Sequence, residues 1–289
     1  MHPAPSVIVF TVLSGAGFGF LACLAMGMLP VAGWWAFAAW GLGYGLAVAG
    51  LLASTFHLGN PQRALLAFTQ WRSSWLSREG WSSVAALLAL APMALSDWLG
   101  LDWPRWIGWI GAVLCGLTVL CTSMIYAQLK TVPRWNHWST PVTFFAFAAT
   151  GGAILATFGW IALLLCLTLA ACLLYGWRRG DGAFAARAQT LGTATGLDRL
   201  GRAEVFEPAH TAGNYLMREM IHVVGRRHAA KLRIIAILCA AALPAVLVLV
   251  PLPGMRAAAL VLHLAGAFAA RWLFFAEAEH VVGLYYGKR

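Results

Sequence analysis

A polar stretch between two apolar runs holds the residues with the clearest capacity for chemistry. Residues 54–79 read STFHLGNPQRALLAFTQWRSSWLSRE. His57 closes one apolar run, Glu79 opens the next, and Arg63 lies between them. The end of a helix favours a protonated imidazole and its start favours an ionised carboxylate, so both groups are placed to exchange protons. Three further polar side chains stand close by in sequence and join this candidate site: Arg72, Ser77 and Arg78.

An imidazole, a carboxylate and a guanidinium beside apolar segments suit the oxidation or reduction of a quinone. A quinol that is oxidised loses protons as well as electrons, so a proton acceptor must lie near its hydroxyl groups. His and Glu can accept or return those protons, and Arg can hold an oxygen that carries negative charge. The simpler alternative is that Arg72, Arg78 and Glu79 form an interfacial ion cluster that fixes the tilt of the following helix.

Composition places these residues in a membrane protein. Of 289 residues, 61% are hydrophobic and only 10% are charged, against about 25% in soluble domains. This balance excludes a soluble protein, a disordered protein and a nucleic-acid-binding protein, despite a net charge of +10. We therefore predict an all-α integral membrane protein in which eight transmembrane helices form one bundle over residues 1–289. The predicted spans are 6–29, 34–56, 80–98, 106–128, 141–157, 158–175, 232–252 and 255–275.

The charges predict how the chain lies in the membrane. Eight spans put both termini on one side, together with three loops: 58–78, 129–140 and a long basic loop at about 178–231. That side holds most of the Lys and Arg residues, whereas the opposite side holds only Arg105 and Arg256. The positive-inside rule then places both termini in the cytoplasm, with the chain in a bacterial inner membrane. Apolar spacing within the long loop predicts an amphipathic helix over 214–233.

Histidine and cysteine spacing gives no metal-binding pattern. A bis-histidine haem needs two histidines at membrane depth, and His263 alone lies well inside a predicted span. An isolated intramembrane histidine more often hydrogen-bonds to a neighbouring helix. The sequence holds neither H-E-x-x-H nor C-x-x-C, so we expect no metal and no haem in this chain. The six cysteines are expected to pack as small apolar residues.

A second polar stretch, RWLFFAEAEH at 271–280, ends the last span. Arg271 and Glu277 are six residues apart and so do not share a tight i,i+4 face. In one interpretation these charges reach from a helix end to the membrane interface. In the other they line the same pocket as the first polar stretch or contact a partner subunit.

Three separated motifs resemble the membrane anchor subunit of the anaerobic dimethyl sulfoxide reductase family. The first runs from His57 through Gly59, Pro61 and Arg63 to Ser74-Trp-Leu-Ser-Arg78-Glu79. The second joins Glu219-Met220 to the basic stretch from Gly225 to Arg233. The third is Arg271-Trp-Leu-Phe-Phe-Ala-Glu277, continued by His280 and Tyr285-Tyr286. The resemblance runs nearly end to end and includes the same number of spans.

The resemblance implies a subunit without haem that exchanges electrons with menaquinone or ubiquinone, as in anaerobic respiration. It implies two partners, a four-cluster iron–sulfur subunit docked on the basic loop face and a molybdopterin catalytic subunit, besides membrane lipid. In that family the quinol site is attributed to the residues that match His57, Arg63 and Glu79. The family also includes membrane subunits of cytoplasm-facing sulfite dehydrogenases, which deliver electrons to quinone.

Two other function classes stay open from the sequence. A secondary transporter usually has discontinuous helices, matched halves and ionisable groups at the bilayer midplane. Here the charged groups avoid the midplane, apart from Arg271, and no halves match. A purely structural membrane anchor without a quinone site is also compatible with the sequence.

Overall fold

Eight membrane-spanning helices make up most of the chain. The computed structural model describes residues 1–57, 60–156, 159–207, 214–221, 228–252 and 254–286, and of His57 and Pro61 it describes the backbone only. Within these ranges, eight helices are long and apolar enough to cross a membrane, and no strand is present. The prediction of an all-α integral membrane protein with eight spans is therefore confirmed.

The helices follow one another in chain order. The first six spans are built on α1 (Pro5–Ala25), α2 (Gly33–Ala53), α3 (Trp75–Leu99), α4 (Trp106–Ala127), α5 (Ser139–Ala156) and α6 (Trp160–Ala186). Two short helices follow, α7 (Leu191–Thr195) and α8 (Tyr215–Glu219). The seventh span joins α9 (Ala229–Ile237), a π-helical segment (Leu238–Ala242) and α10 (Leu243–Leu247). The eighth span is α11 (Met255–Ala276), and α12 (Val282–Tyr285) comes last.

Several boundaries differ from the sequence prediction by a few residues, and three differences change the assignment of a loop or helix. α3 begins at Trp75 rather than at residue 80, because the Ser74 hydroxyl caps it by accepting a hydrogen bond from the Ser77 N–H. α6 continues to Ala186, so the first part of the predicted loop 178–231 is helical. One continuous amphipathic helix over 214–233 is wrong, because α8 ends at Glu219 and Ile221 leaves helical geometry with its side chain buried. The last part of the prediction is helical from Ala229 onward, and residues 222–227 lie outside the described ranges.

Both ends of the described chain lie on one face of the bundle. The amino terminus of Met1 donates to the Ala278 carbonyl at 2.8 Å. The His2 N–H donates to the Glu219 carbonyl at 2.7 Å, and the Val281 N–H donates to the Thr131 carbonyl at 3.0 Å. These bonds gather segments 1–4, 128–138, 214–221 and 277–286 at one end of the bundle. The Arg-rich connections between α2 and α3 and between α6 and α9 lie at the same end, and we call this end of the bundle the basic face.

α1 lies at the centre of the bundle and packs against α2, α4 and α5. Lipid tails are as apolar as the helices, so close backbone approach rather than a hydrophobic driving force holds such helices together. Gly19 and Gly152 provide that approach between α1 and α5. A Cβ on Gly152 would lie 2.4 Å from the Gly19 carbonyl.

The seventh span changes its hydrogen-bond pattern around Pro244. Proline has no N–H, so it cannot donate to the carbonyl of Ala240 one turn earlier. The π-helical segment lies at this point, and His263 Nδ1 of α11 lies 2.7 Å from the Ala240 oxygen. A carbonyl can only accept, so Nδ1 carries the proton. The expectation that an intramembrane His263 bonds to a neighbouring helix is confirmed.

This contact predicts a coupled effect on stability. His263→Phe leaves the Ala240 carbonyl unpaired and should cost about 1–3 kcal/mol. Pro244→Ala restores an N–H that can reach the same carbonyl. Thermal unfolding in detergent should therefore show a smaller loss for His263→Phe when Pro244→Ala is also present. Equal losses in the two backgrounds would contradict this hydrogen-bond assignment.

Candidate functional site

The loop before α3 is held by Arg78. Its Nε donates to the Trp71 carbonyl at 2.9 Å, and its Nη2 donates to the Arg72 carbonyl at 2.6 Å. Its guanidinium also stacks 4.4 Å from the Trp75 ring centroid. Arg72 itself is exposed. Among the described residues, Arg72, Arg78 and Glu79 therefore form no ion cluster, and the simpler alternative raised by the sequence is wrong.

Glu79 is directed into the bundle. Its side chain is only 3% exposed, and its carboxyl group is hydrogen-bonded to the Thr122 hydroxyl of α4. That hydroxyl also lies 3.0 Å from the Thr118 carbonyl. Among the residues that the structure describes, no cation forms an ion pair with Glu79. A buried carboxyl group without an ion pair is costly in its charged form, which marks it as a functional candidate.

Ser77 adds a second unusual polar group at the same helix end. Its side chain is 1% exposed, and its hydroxyl oxygen has no hydrogen-bond partner among the described residues. Most buried polar atoms in proteins are paired, so an unpaired hydroxyl is suited to a bound ligand.

The other predicted site residues lie nearer the membrane surface. Arg63 belongs to the 3₁₀ segment Pro61–Phe68 and is exposed. This segment is attached to α3, because Trp81 Nε1 donates to the Phe68 carbonyl at 2.9 Å. Within the described part of the chain, no hydrogen bond or ion pair joins Arg63 to Glu79. His57 ends the 3₁₀ turn Ser54–His57, and its side chain lies outside the described residues.

A small polar cavity lies between α1, α4, α5 and α11. Its volume is about 20 Å³, enough for about one water molecule. Its polar lining consists of Thr11, Ser14, Thr122, His263 and Arg271. The hydroxyl group that binds Glu79 therefore belongs to a residue that also lines this cavity.

Arg271 is buried in the cavity wall without an anion. It is 3% exposed, and its Cζ lies 3.5 Å from the Phe144 ring centroid and 5.1 Å from that of Phe147. No hydrogen bond or ion pair reaches its guanidinium from the described residues. A buried cation–π contact contributes about 2 kcal/mol, well below the cost of an isolated buried charge.

Glu277 is engaged elsewhere, in an ion network behind the basic face. Arg134 bonds to Asp181 at 2.7 Å and to Glu277 at 3.1 Å. Arg233 bonds to the same two acids at 2.5 Å and 2.8 Å. The network ties the loop after α4 to α6, α9 and the end of α11, and both acids are shared by two arginines.

A third buried acid lies at the far end of α3. Asp97 accepts hydrogen bonds from Arg105 at 2.7 Å and 3.1 Å and from Trp40 Nε1 at 3.0 Å. Unlike Glu79, this acid has its cation beside it.

Comparison with known proteins assigns the family. The model of the DMSO reductase anchor subunit (DmsC) family matches residues 1–170. The chain belongs to this family. A sulfite dehydrogenase subunit from Allochromatium vinosum is 30% identical over 326 aligned positions, which cover 99% of each chain. No solved structure matches the chain. The resemblance inferred from the three motifs is thus confirmed for this anchor subunit.

Sequence reasoning missed Thr122, and it left open whether Arg271 lines the same pocket as the first polar stretch. Thr122 carries no signal, because threonines are ordinary in membrane helices and many bond to their own helix, as Thr118 does. Arg271 was visible as a charge in the last span, but nothing in its sequence neighbourhood predicts the Phe144 contact.

The cysteines form neither disulfides nor a metal-binding group among the described residues. Cys23, Cys115, Cys121 and Cys166 are buried, and all six cysteines are free of disulfides. In the described ranges, no group of three or more His, Cys, Asp or Glu residues could hold a metal ion.

The ion network predicts unequal effects for two Glu→Gln changes. Glu277→Gln leaves two largely buried arginines with one shared acid and should cost the anchor subunit about 3–5 kcal/mol of stability. Glu204→Gln removes an exposed pair with Arg202 and should change stability by about 1 kcal/mol or less. Thermal unfolding of both variants measures the difference. Similar midpoints for both would contradict a structural role for the network.

Proposed function

We propose that this anchor subunit binds a membrane quinone at the amino-terminal end of α3 and exchanges protons with it through Glu79. The observation that carries the proposal is the state of Glu79, a buried carboxyl group in a membrane span with Thr122 as partner and no ion pair among the described residues. Such a group can give or take a proton without breaking an ion pair.

The side chains present suit a quinone head group. When bound, a quinol supplies two electrons and two protons. Ser77 offers a buried hydroxyl without a partner, and Glu79 can accept or return a proton. Arg63 on the exposed 3₁₀ segment would hold a quinone oxygen. His57, which follows α2 on the same side of the membrane, would exchange protons with water.

We assign Arg78 and Arg72 to the entrance of the proposed quinone site, the loop 69–74 in front of α3. The two hydrogen bonds from Arg78 to backbone carbonyls hold the loop 69–74 against the start of α3. We therefore expect Arg78 to position the entrance, and we expect the exposed Arg72 to contribute positive charge there.

The basic face is the proposed docking surface for the partner subunits. The DMSO reductase anchor family and the name of the sulfite dehydrogenase relative support an iron–sulfur subunit and a catalytic subunit as partners. We expect four clusters in the former and molybdopterin in the latter, as the sequence resemblance implies. The site and the basic face lie at the same end of the bundle, which keeps the electron path short. The positive-inside rule supports a bacterial inner membrane with the basic face and both termini on the cytoplasmic side. The relative is named as a sulfite dehydrogenase, an enzyme that removes electrons from its substrate, so we propose that electrons flow from the partner subunits toward quinone.

Replacing the carboxyl group tests this function. Glu79→Gln keeps the size of the side chain but cannot take up a proton. In the assembled complex, quinone-linked turnover should fall by about 100-fold or more, whereas dye-linked activity of the partner subunits should persist. His57→Ala should behave in the same way.

Asp97→Asn is the matched control, because it changes the other buried acid of α3 at the opposite end. Both activities should persist in this variant. Undiminished quinone-linked turnover in an assembled Glu79→Gln complex would instead favour a purely structural anchor.

A further inference from the structure

We propose that Arg271 is the counter-charge of Glu79 and a positioning residue for its proton exchange, acting across the cavity between α1, α4, α5 and α11. The effect on turnover rests on the proposed function, whereas the pairing of the two charges is inferred from the described acids and from the cavity.

Elimination identifies the acid that balances Arg271. The chain has ten Asp and Glu residues, and all of them lie in the described ranges. Asp97 is bound by Arg105, and Asp181 and Glu277 are shared by Arg134 and Arg233. Six more acids lie outside the eight spans: Asp102, Asp198, Glu204, Glu207, Glu219 and Glu279. Glu79 is the one acid left.

Thr122 connects the two charges. Its hydroxyl is bonded to the Glu79 carboxyl group, and Thr122 and Arg271 line the same cavity. The cavity of about 20 Å³ has room for about one water molecule, and we propose that this water links the Thr122 hydroxyl to Arg271.

The groups next to Arg271 in the cavity wall carry no negative charge that could balance its guanidinium. His263, also in the cavity wall, uses Nδ1 to bond the Ala240 carbonyl. The Phe144 and Phe147 rings accept the guanidinium only through their π faces. A positive charge held in this low-dielectric setting stabilises the ionised form of Glu79, the form that can accept a proton from a quinol.

A double-mutant cycle on stability tests the pairing without any activity measurement. Arg271→Met should lower the unfolding temperature of the purified complex. In the Glu79→Gln background, Arg271→Met should lower the unfolding temperature at most about half as much. In that background the carboxylate has already been removed, so the loss of the arginine leaves no unbalanced negative charge. Equal losses in both backgrounds would show that Arg271 only packs against Phe144 and would overturn the pairing.

Kinetics with a soluble quinone analogue test the positioning role. Arg271→Met should lower kcat about tenfold or more with KM unchanged, and Arg271→Lys, which keeps the charge, should recover most of that loss. Arg256→Met, at the other end of α11, is the control and should leave kcat unchanged. A higher KM with unchanged kcat would place Arg271 in quinone binding and overturn the proposal.

The two proposals fail separately. Stability coupling with undiminished quinone turnover in Glu79→Gln would refute the proposed function and support the pairing. Lost turnover in Glu79→Gln without coupling would refute the pairing alone. If Arg271→Met does not assemble, Thr122→Val removes the hydroxyl that links the two charges. It should lower kcat in the same way, and an unchanged kcat would overturn the proposal.

Discussion

A lipid bilayer offers almost no water to a charged group, so each charge in a membrane span must be paired, hydrated or brought to a surface. The anchor subunit meets this constraint at both ends of the bundle. Asp97 and Arg105 pair at one end, and Asp181 and Glu277 are shared by two arginines at the other. Of the buried acids and arginines that the structure describes, only Glu79 and Arg271 have no ion pair, and the proposed chemistry depends on these two groups.

The same constraint applies to the backbone and explains how the cavity is held open. Pro244 cannot donate to the Ala240 carbonyl, His263 supplies the missing hydrogen bond, and this contact fixes one wall of the cavity. Gly151 leaves room for the imidazole, since a Cβ there would lie 3.3 Å from His263 Nε2. Rigid helix contacts thus surround a small polar space, and such rigidity suits a site whose groups must keep their relative positions.

The sequence predicted the number of spans, because each span needs about 20 apolar residues and leaves an unmistakable run. It also predicted the polar stretch 54–79 as the place of interest. It could not predict that Glu79 faces α4 while Arg78 faces the loop, because helix rotation depends on contacts between distant residues. The link from Glu79 through Thr122 to Arg271 joins three helices, and no spacing along the chain encodes it.

The position of bound quinone tests the central claim most directly. Membranes with the assembled complex can be irradiated with an azidoquinone, and the labelled peptides of this protein mapped by mass spectrometry. We predict label within residues 57–79 or beside Thr122 on α4, removed by excess unlabelled quinone. Label confined to the apolar groove between α2 and α3, lined by Phe37, Trp40, Tyr44 and Trp98, would contradict a quinone site at the amino-terminal end of α3.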